Sequence, residues 1–133
     1  MSHPTPDDLL RVPLFADLPS GAAEVLAPRF DIEEFGAGRK ILLEGTAGYA
    51  FYVIDQGQVS VTHEGEALRT LGPGEFFGEI AILGGGRRTA SVTATEPTTV
   101  WKLFGTAFRR LEMTNPEVSQ ALQEAMRQRL ATG

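Results

Sequence analysis

The chain has 133 residues, 42% of them hydrophobic and 22% charged, with a formal net charge of −5 and no cysteine. A chain of this size buries enough apolar surface to hold one domain without a disulfide or metal staple, and the missing thiols exclude thiolate-held iron–sulfur clusters, thiolate zinc sites and a cysteine nucleophile. The acidic balance argues against direct nucleic-acid binding by phosphate neutralisation, and no apolar run is long enough to predict a membrane span. The start, from Met1 to Asp8, lacks the basic and apolar regions of a signal peptide, so the expected location is cytoplasmic.

In chain order, the first signals are helical. Thr5 before Pro6 reads as an N-cap with proline at the first helical position, and Asp7 and Asp8 favour that end of a helix. Leu9, Leu10, Leu14, Phe15 and Leu18 supply apolar faces interrupted at Pro13 and Pro19, and Ser20 is placed to cap a second short helix carrying Val25 and Leu26. Residues 1–30 therefore predict a small helical bundle. His3 is assigned to a loose terminus.

From Asp31 to Phe104 the pattern changes to short strands divided by glycine. The candidate strands are Asp31 to Phe35, Lys40 to Leu43, Ala50 to Asp55, Gln58 to His63, Glu66 to Leu71, Ala90 to Thr95 and Thr98 to Leu103. Val59 and Val61 alternate with Ser60 and Thr62, which puts the valines on one buried face. Turn signals recur at Gly36, Gly38, Gly45, Gly48, Gly57, Gly65 and the Gly72-Pro73-Gly74 triplet, a spacing typical of a sandwich or barrel. Trp101 sits in a strand pattern and reads as core, and His63 beside an acidic turn reads as solvated.

Helical spacing returns after Phe104. Thr106 is placed to cap a helix holding Phe108 and Leu111, which stops before Pro116 because a residue preceding proline disfavours helix. Asn115 then caps a last helix with Pro116 at its first position. Val118, Leu122, Met126 and Leu130 form a stripe along that helix, which covers either the core or a ligand.

One stretch carries the chemistry. Phe77-Gly78-Glu79-Ile80-Ala81-Ile82-Leu83 runs through Gly84-Gly85-Gly86-Arg87 to Arg88-Thr89-Ala90-Ser91-Val92. Glycine lets backbone approach a ligand, a helical turn starting there points N–H groups outward, and Glu79 can accept from ribose hydroxyls. Arg88, nine residues after Glu79, offers a planar fork of donors to a phosphate. Standing alone, Glu79 reads equally well as a helix-terminal carboxylate and Arg88 as its surface partner.

The element order and this cassette closely resemble the cyclic-nucleotide-binding domain family. Leu14-Phe15, Phe35 with Gly38, Ile41 and Gly45, and Tyr52-Val53-Ile54 with Gly57 match its scattered pattern, so the likeness covers nearly the whole chain. The resemblance implies a mainly β fold: an antiparallel β-roll (a double-stranded, jelly-roll-like β-helix) over 31–104, an inserted helix at about 79–83, and two C-terminal helices within 105–133, the 133 residues forming one domain with its phosphate-binding cassette at 77–92. It implies that Glu79 binds the ribose 2′-hydroxyl, that Arg88 pairs with the cyclic phosphate, and that the phosphate also meets the backbone N–H groups of Gly78, Ile80 and Ala81. Thr89 bonds the phosphate and, with a syn guanine, the base. Phe77 and Ala90 flank these residues, and Val61 and Leu71 pack on the purine. Arg87 stands where proline often precedes the phosphate arginine, and Ala37 where proline often precedes the early-turn glycine.

The same resemblance makes the last helix a lid, with Met126, Arg127, Arg129 and Leu130 as candidates to touch the base and Arg129 the best match. Threonine at 89 permits cGMP without requiring it, and the sequence reading leans to cAMP. The implied function is a non-enzymatic sensor with no cofactor, catalytic residue or metal, its partners being a cyclic nucleotide and an effector domain or protein. The competing readings are a metal cupin, opposed by only two distant histidines, the sensor portion of a Crp-like transcription regulator, and a ligand-blind interaction module.

Overall fold

The structure, a computed structural model, describes residues 3–43, 45, 49–84 and 90–132, of Thr132 the backbone only. Three short helices come first: α1 (Pro6–Leu10), α2 (Pro13–Ala16) and α3 (Ala22–Leu26), followed by a 3₁₀ turn over Ala27–Arg29. Thr5 caps α1 as predicted, in a reciprocal box: its hydroxyl accepts from Asp8 N at 3.1 Å and the Asp8 carboxylate accepts from Thr5 N at 2.9 Å. Pro13 does not interrupt a helix; it opens α2 at the first helical position. The predicted Ser20 cap is displaced by one residue to Gly21, whose φ of +88° bends the chain into α3 without a side-chain bond. His3 is tied down, its Nδ1 lying 2.6 Å from the Phe30 carbonyl oxygen, so the predicted loose terminus is corrected.

The capping box carries a pH signature. The Thr5 N–H on its carboxylate, together with the Thr5 hydroxyl and Arg11, holds Asp8 below the ordinary 3.8, and a carboxylate lowered on folding stabilises the fold above that value and loses the contribution as the pH falls through the folded one. Asp55 is shifted the opposite way, first by burial and then by the charge of Asp8, so its penalty on folding is full above its raised value, shrinks as the pH falls toward the ordinary 3.8 and is gone below it. Replacing Asp8 with alanine should lower unfolding free energy by about 1 kcal/mol at neutral pH. Denaturant curves should show that deficit shrinking as the pH drops below 3.8.

The roll is two four-stranded antiparallel sheets. One has the order β1 (Asp31–Phe35), β8 (Thr98–Phe104), β3 (Ala50–Gln56), β6 (Phe76–Phe77); the other β2 (Lys40–Leu42), β7 (Ser91–Ala94), β4 (Val59–His63), β5 (Glu66–Leu71). Seven strands follow the predicted ranges within one or two residues, and β6 is additional. Ala50 to Ile54 are all buried because β3 faces apolar neighbours on both sides. Ala50, Tyr52 and Ile54 join Val59, Val61, Leu71, Val92 and Val100 between the sheets, while Phe51 and Val53 join Trp101, Leu103 and the helices. Trp101, 3% exposed, is core as read from the sequence.

Helix α4 (Ile80–Leu83) is inserted between β6 and β7, and α5 (Gly105–Thr114) and α6 (Pro116–Thr132) end the chain. Helix α5 begins before the predicted cap: Phe104 holds the N-cap position in extended conformation, with no side-chain bond, and Thr106 lies inside the first turn. Asn115 separates the two helices, and its carbonyl accepts from Val118 and Ser119 N–H. Leu122 and Met126 are fully buried against the helical core, but Leu130 is 42% exposed, so the apolar stripe leaves the core at its last turn.

Candidate functional site

The cassette starts where β6 ends. Phe77 is buried, opposite Tyr52 of β3, and Gly78 takes φ +78°, a conformation that lets the chain turn directly from strand into α4. Glu79 holds the N-cap position of α4 in helical conformation; its carbonyl accepts from Ile82 and Leu83 N–H at 2.9 and 2.8 Å. Its carboxylate is partly buried and has no hydrogen-bond or ionic partner among the described residues, and it makes no side-chain cap. Glu79 thus stands at the N-terminal end of α4, where its charge also meets the positive end of the helix dipole. Neither Gly78 nor Ile80 N–H meets a backbone acceptor among the described residues, whereas Ala81 N–H is turned to Gly78 O at 3.2 Å.

One cavity adjoins this turn, and a second lies beside the segment that precedes it. The smaller, about 90 Å³, lies between Leu42, Val61 and Val92 of the second sheet and Phe77, Gly78, Glu79, Ile80 and Ala90 of the cassette. The wider, about 360 Å³, is bounded by Thr70 and Leu71 of β5, the Gly74–Phe76 turn, and Arg129 and Leu130 of α6. Arg69 lines both. It stands opposite Val61 in the β4–β5 register, two residues before Leu71 and on the same side, beyond a bulge that takes Leu68 out of the pairing.

The fold thus gathers Phe77, Gly78, Glu79, Ile80, Ala90 and Val61 at one cavity and Leu71 and Arg129 at its neighbour. Ala81 instead packs on the helical core, where Met126 is also buried, which removes that methionine from the lid candidates. Arg87, Arg88 and Thr89, with Gly48, Gly85 and Gly86, lie outside the described residues.

Sequence reasoning missed Arg69, Leu42 and Val92. Strand alternation from Leu71 places Arg69 on the inner side, and Leu42 and Val92 are cross-strand partners. It also missed Gln123 of α6, whose side-chain amide donates to Ile82 O of α4 at 3.3 Å and ties the last helix to the cassette.

The model of the cyclic nucleotide-binding domain matches residues 32–115, from the first strand through α5. The chain belongs to the cyclic nucleotide-binding domain family. It is 32% identical over 98 residues to a cAMP-dependent protein kinase regulatory subunit of Yarrowia lipolytica, covering 74% of this chain and 26% of that protein. Against cGMP-dependent protein kinase isozyme 1 of Drosophila melanogaster it is 38% identical over 96 residues, 67% of this chain and 12% of the kinase. This cyclic nucleotide-binding domain therefore spans about a quarter or less of those curated relatives. Among solved structures, the N-terminal domain of a transcriptional regulator from Streptomyces coelicolor superposes with a TM-score of 0.80 at 29% identity, covering 95% of this chain and 94% of that one.

No helix among the described residues is long and apolar enough to cross a membrane. His63 stands 3.7 Å from Glu64 at the exposed hairpin turn, away from both cavities.

Proposed function

We propose that this domain is a non-catalytic sensor of cyclic purine nucleotides with a preference for cGMP, the 133 residues acting as one binding unit. The observation that carries the reading is the Glu79 carboxylate, partly buried and unpartnered among the described residues, at the cavity where Val61, Phe77, Gly78 and Arg69 converge. A partly buried carboxylate with open acceptor positions at a cavity is ready to take hydrogen bonds, and ribose hydroxyls supply the donors. The N–H groups of Gly78 and Ile80 and the guanidinium of Arg88 complete the phosphate end, Thr89 adds a hydroxyl, and the purine lies along Val61 and Leu71 into the wider cavity under Arg129 and Leu130.

Arg69 turns the base preference away from the adenine favoured by the sequence alone. Arginine offers only donors, and guanine presents two acceptors, O6 and N7, on one edge, where adenine presents one acceptor and a donor. Helix α6 reads occupancy because it touches both the wide cavity, through Arg129 and Leu130, and the cassette helix, through Gln123. A nucleotide that contacts α6 in one arrangement better than in another shifts that helix, and an attached domain or partner protein responds.

The test is displacement of a fluorescent cyclic nucleotide by cGMP and cAMP. The parent should favour cGMP, and Arg69→Ala should weaken cGMP binding by about tenfold or more while leaving cAMP within a few-fold. Equal losses for both nucleotides would remove the base-reading role of Arg69.

A further inference from the structure

We infer that Tyr52 is a positioning residue for the nucleotide pocket, fixing the cassette through a ring stack on Phe77 that Lys102 steadies from the opposite side. The inference rests on the binding role of Glu79 proposed above. Strand β6 has two residues, lies at the edge of its sheet and pairs with β3 through Tyr52↔Phe77 and Val53↔Phe76. So short a ladder sets the direction of the chain weakly, yet Gly78 and Glu79 follow it at once. Backbone bonds just before it, Ile54 N–H to Glu75 O at 2.9 Å and Gly74 N–H to Ile54 O at 2.8 Å, tie its start to β3, and at its end the fold adds one aromatic contact on each face. On the helical side Phe76 meets Phe51, with ring centroids 5.5 Å apart, and Phe51 continues into Phe30 and Phe15. On the inner side Phe77 lies flat on Tyr52, with centroids 5.0 Å apart and planes at 11°.

The two clamps differ in what stands behind them. Phe51 is embedded in the main core, where its loss would disturb the whole fold. Tyr52 belongs instead to a row that crosses the sheet from β1 to the cassette. Lys102 is its partner in the β3–β8 register, with Nζ 5.9 Å from the Tyr52 ring centroid and 4.5 Å from that of Phe104. The same ammonium lies 3.3 Å from a Glu33 carboxylate oxygen. Glu33, Lys102, Tyr52 and Phe77 thus form a continuous line whose last member is two residues from Glu79, and an ammonium at an aromatic face favours one ring orientation.

If the row sets where the Glu79 carboxylate sits, loosening it weakens the ribose contact in particular. The experiment is a cycle between protein and ligand: affinities of parent, Tyr52→Phe, Tyr52→Leu and Lys102→Met for cGMP and for its 2′-deoxy analogue, with denaturation midpoints measured alongside. The parent should bind cGMP more tightly than the 2′-deoxy compound. Tyr52→Leu should weaken cGMP binding by about three- to tenfold and narrow the gap between the two ligands, because the analogue lacks the hydroxyl that Glu79 holds. Tyr52→Phe, which keeps the stacking ring, should restore the gap. Lys102→Met should narrow it less than Tyr52→Leu does, and it keeps the test alive if the leucine variant does not fold. A gap unchanged in both Tyr52→Leu and Lys102→Met, whatever happens to their midpoints, would reduce Tyr52 to a core residue and overturn the inference while leaving the sensor reading intact. A parent that binds cGMP with no 2′-deoxy penalty would remove the Glu79 contact and this inference together, and a parent that binds neither ligand would overturn the sensor reading itself.

Discussion

Gly57→Ala is expected to lower the unfolding free energy by roughly 2 to 5 kcal/mol, the sum of a left-handed backbone imposed on alanine and a steric clash at the turn. Gly57 has φ +102°, and a β-carbon built there would stand 2.4 Å from Thr98 Oγ1, 2.6 Å from Pro97 O and 2.6 Å from Thr98 Cα. The neighbours cannot withdraw, because they make the joint between β3, β4 and β8. Thr98 is 2% exposed; its hydroxyl donates to Glu96 O at 2.8 Å and accepts from Gln58 N at 3.2 Å, and Gln58 O takes Thr95 N–H at 2.9 Å. Moving that cluster opens the sheet that carries Trp101 and Lys102. A domain of this kind has about 5 to 15 kcal/mol in hand, so the variant should unfold at a much lower denaturant concentration, or fail to fold at 37 °C. Gly65→Ala is the control: φ is +82° but nothing lies within 4 Å, so only backbone strain of about 1 kcal/mol remains. Equal midpoints for the two variants would contradict the packing at Gly57.

The second large effect falls on binding rather than on folding. In the proposed binding mode, Arg88→Ala should weaken cyclic-nucleotide affinity by about 2 to 5 kcal/mol, since it removes the charged partner of the phosphate. Glu79→Ala should weaken it by about 1.5 to 3 kcal/mol through loss of a charge-assisted bond to ribose. The two differ in a control that a generic loss of structure would not reproduce. Because the Glu79 carboxylate has no partner among the described residues, its removal should leave the unliganded denaturation midpoint unchanged or raise it. Calorimetric titration gives the affinities, and a Glu79→Ala variant that binds as well as the parent would place the ribose elsewhere.

Much of this was legible before any coordinates. Glycine punctuation and the valine alternation located seven strands, and Phe77-Gly78-Glu79 marked the turn that lines the smaller cavity. Strand β6 escaped because two residues show no alternation; its place is set by pairing with β3 and by stacking on Phe51 and Tyr52, which are tertiary. Caps were misplaced at Ser20 and Thr106 for a related reason. A glycine with positive φ and an extended Phe104 start those helices, and neither offers the side-chain acceptor that a cap search looks for. Arg69 escaped because a charged residue in an exposed hairpin strand reads as solvent-facing; it is exposed, but its pairing with Val61, two residues from Leu71, puts it at the rim of the pocket. Met126 and Leu130, four residues apart on one stripe, part company because the core ends between them: the first is fully buried and the second borders the wide cavity.

The central claim is that the cavity beside Gly78 and Glu79, with the wider one it meets at Arg69, takes a cyclic purine nucleotide, and isothermal titration of the parent protein with cGMP, cAMP and non-cyclic 5′-GMP tests it most directly. Saturable binding of both cyclic nucleotides, cGMP the tighter, with 5′-GMP much weaker, is the predicted result. Absence of heat and of any melting shift with either cyclic nucleotide at millimolar concentration, or binding of 5′-GMP as tight as that of cGMP, would contradict it.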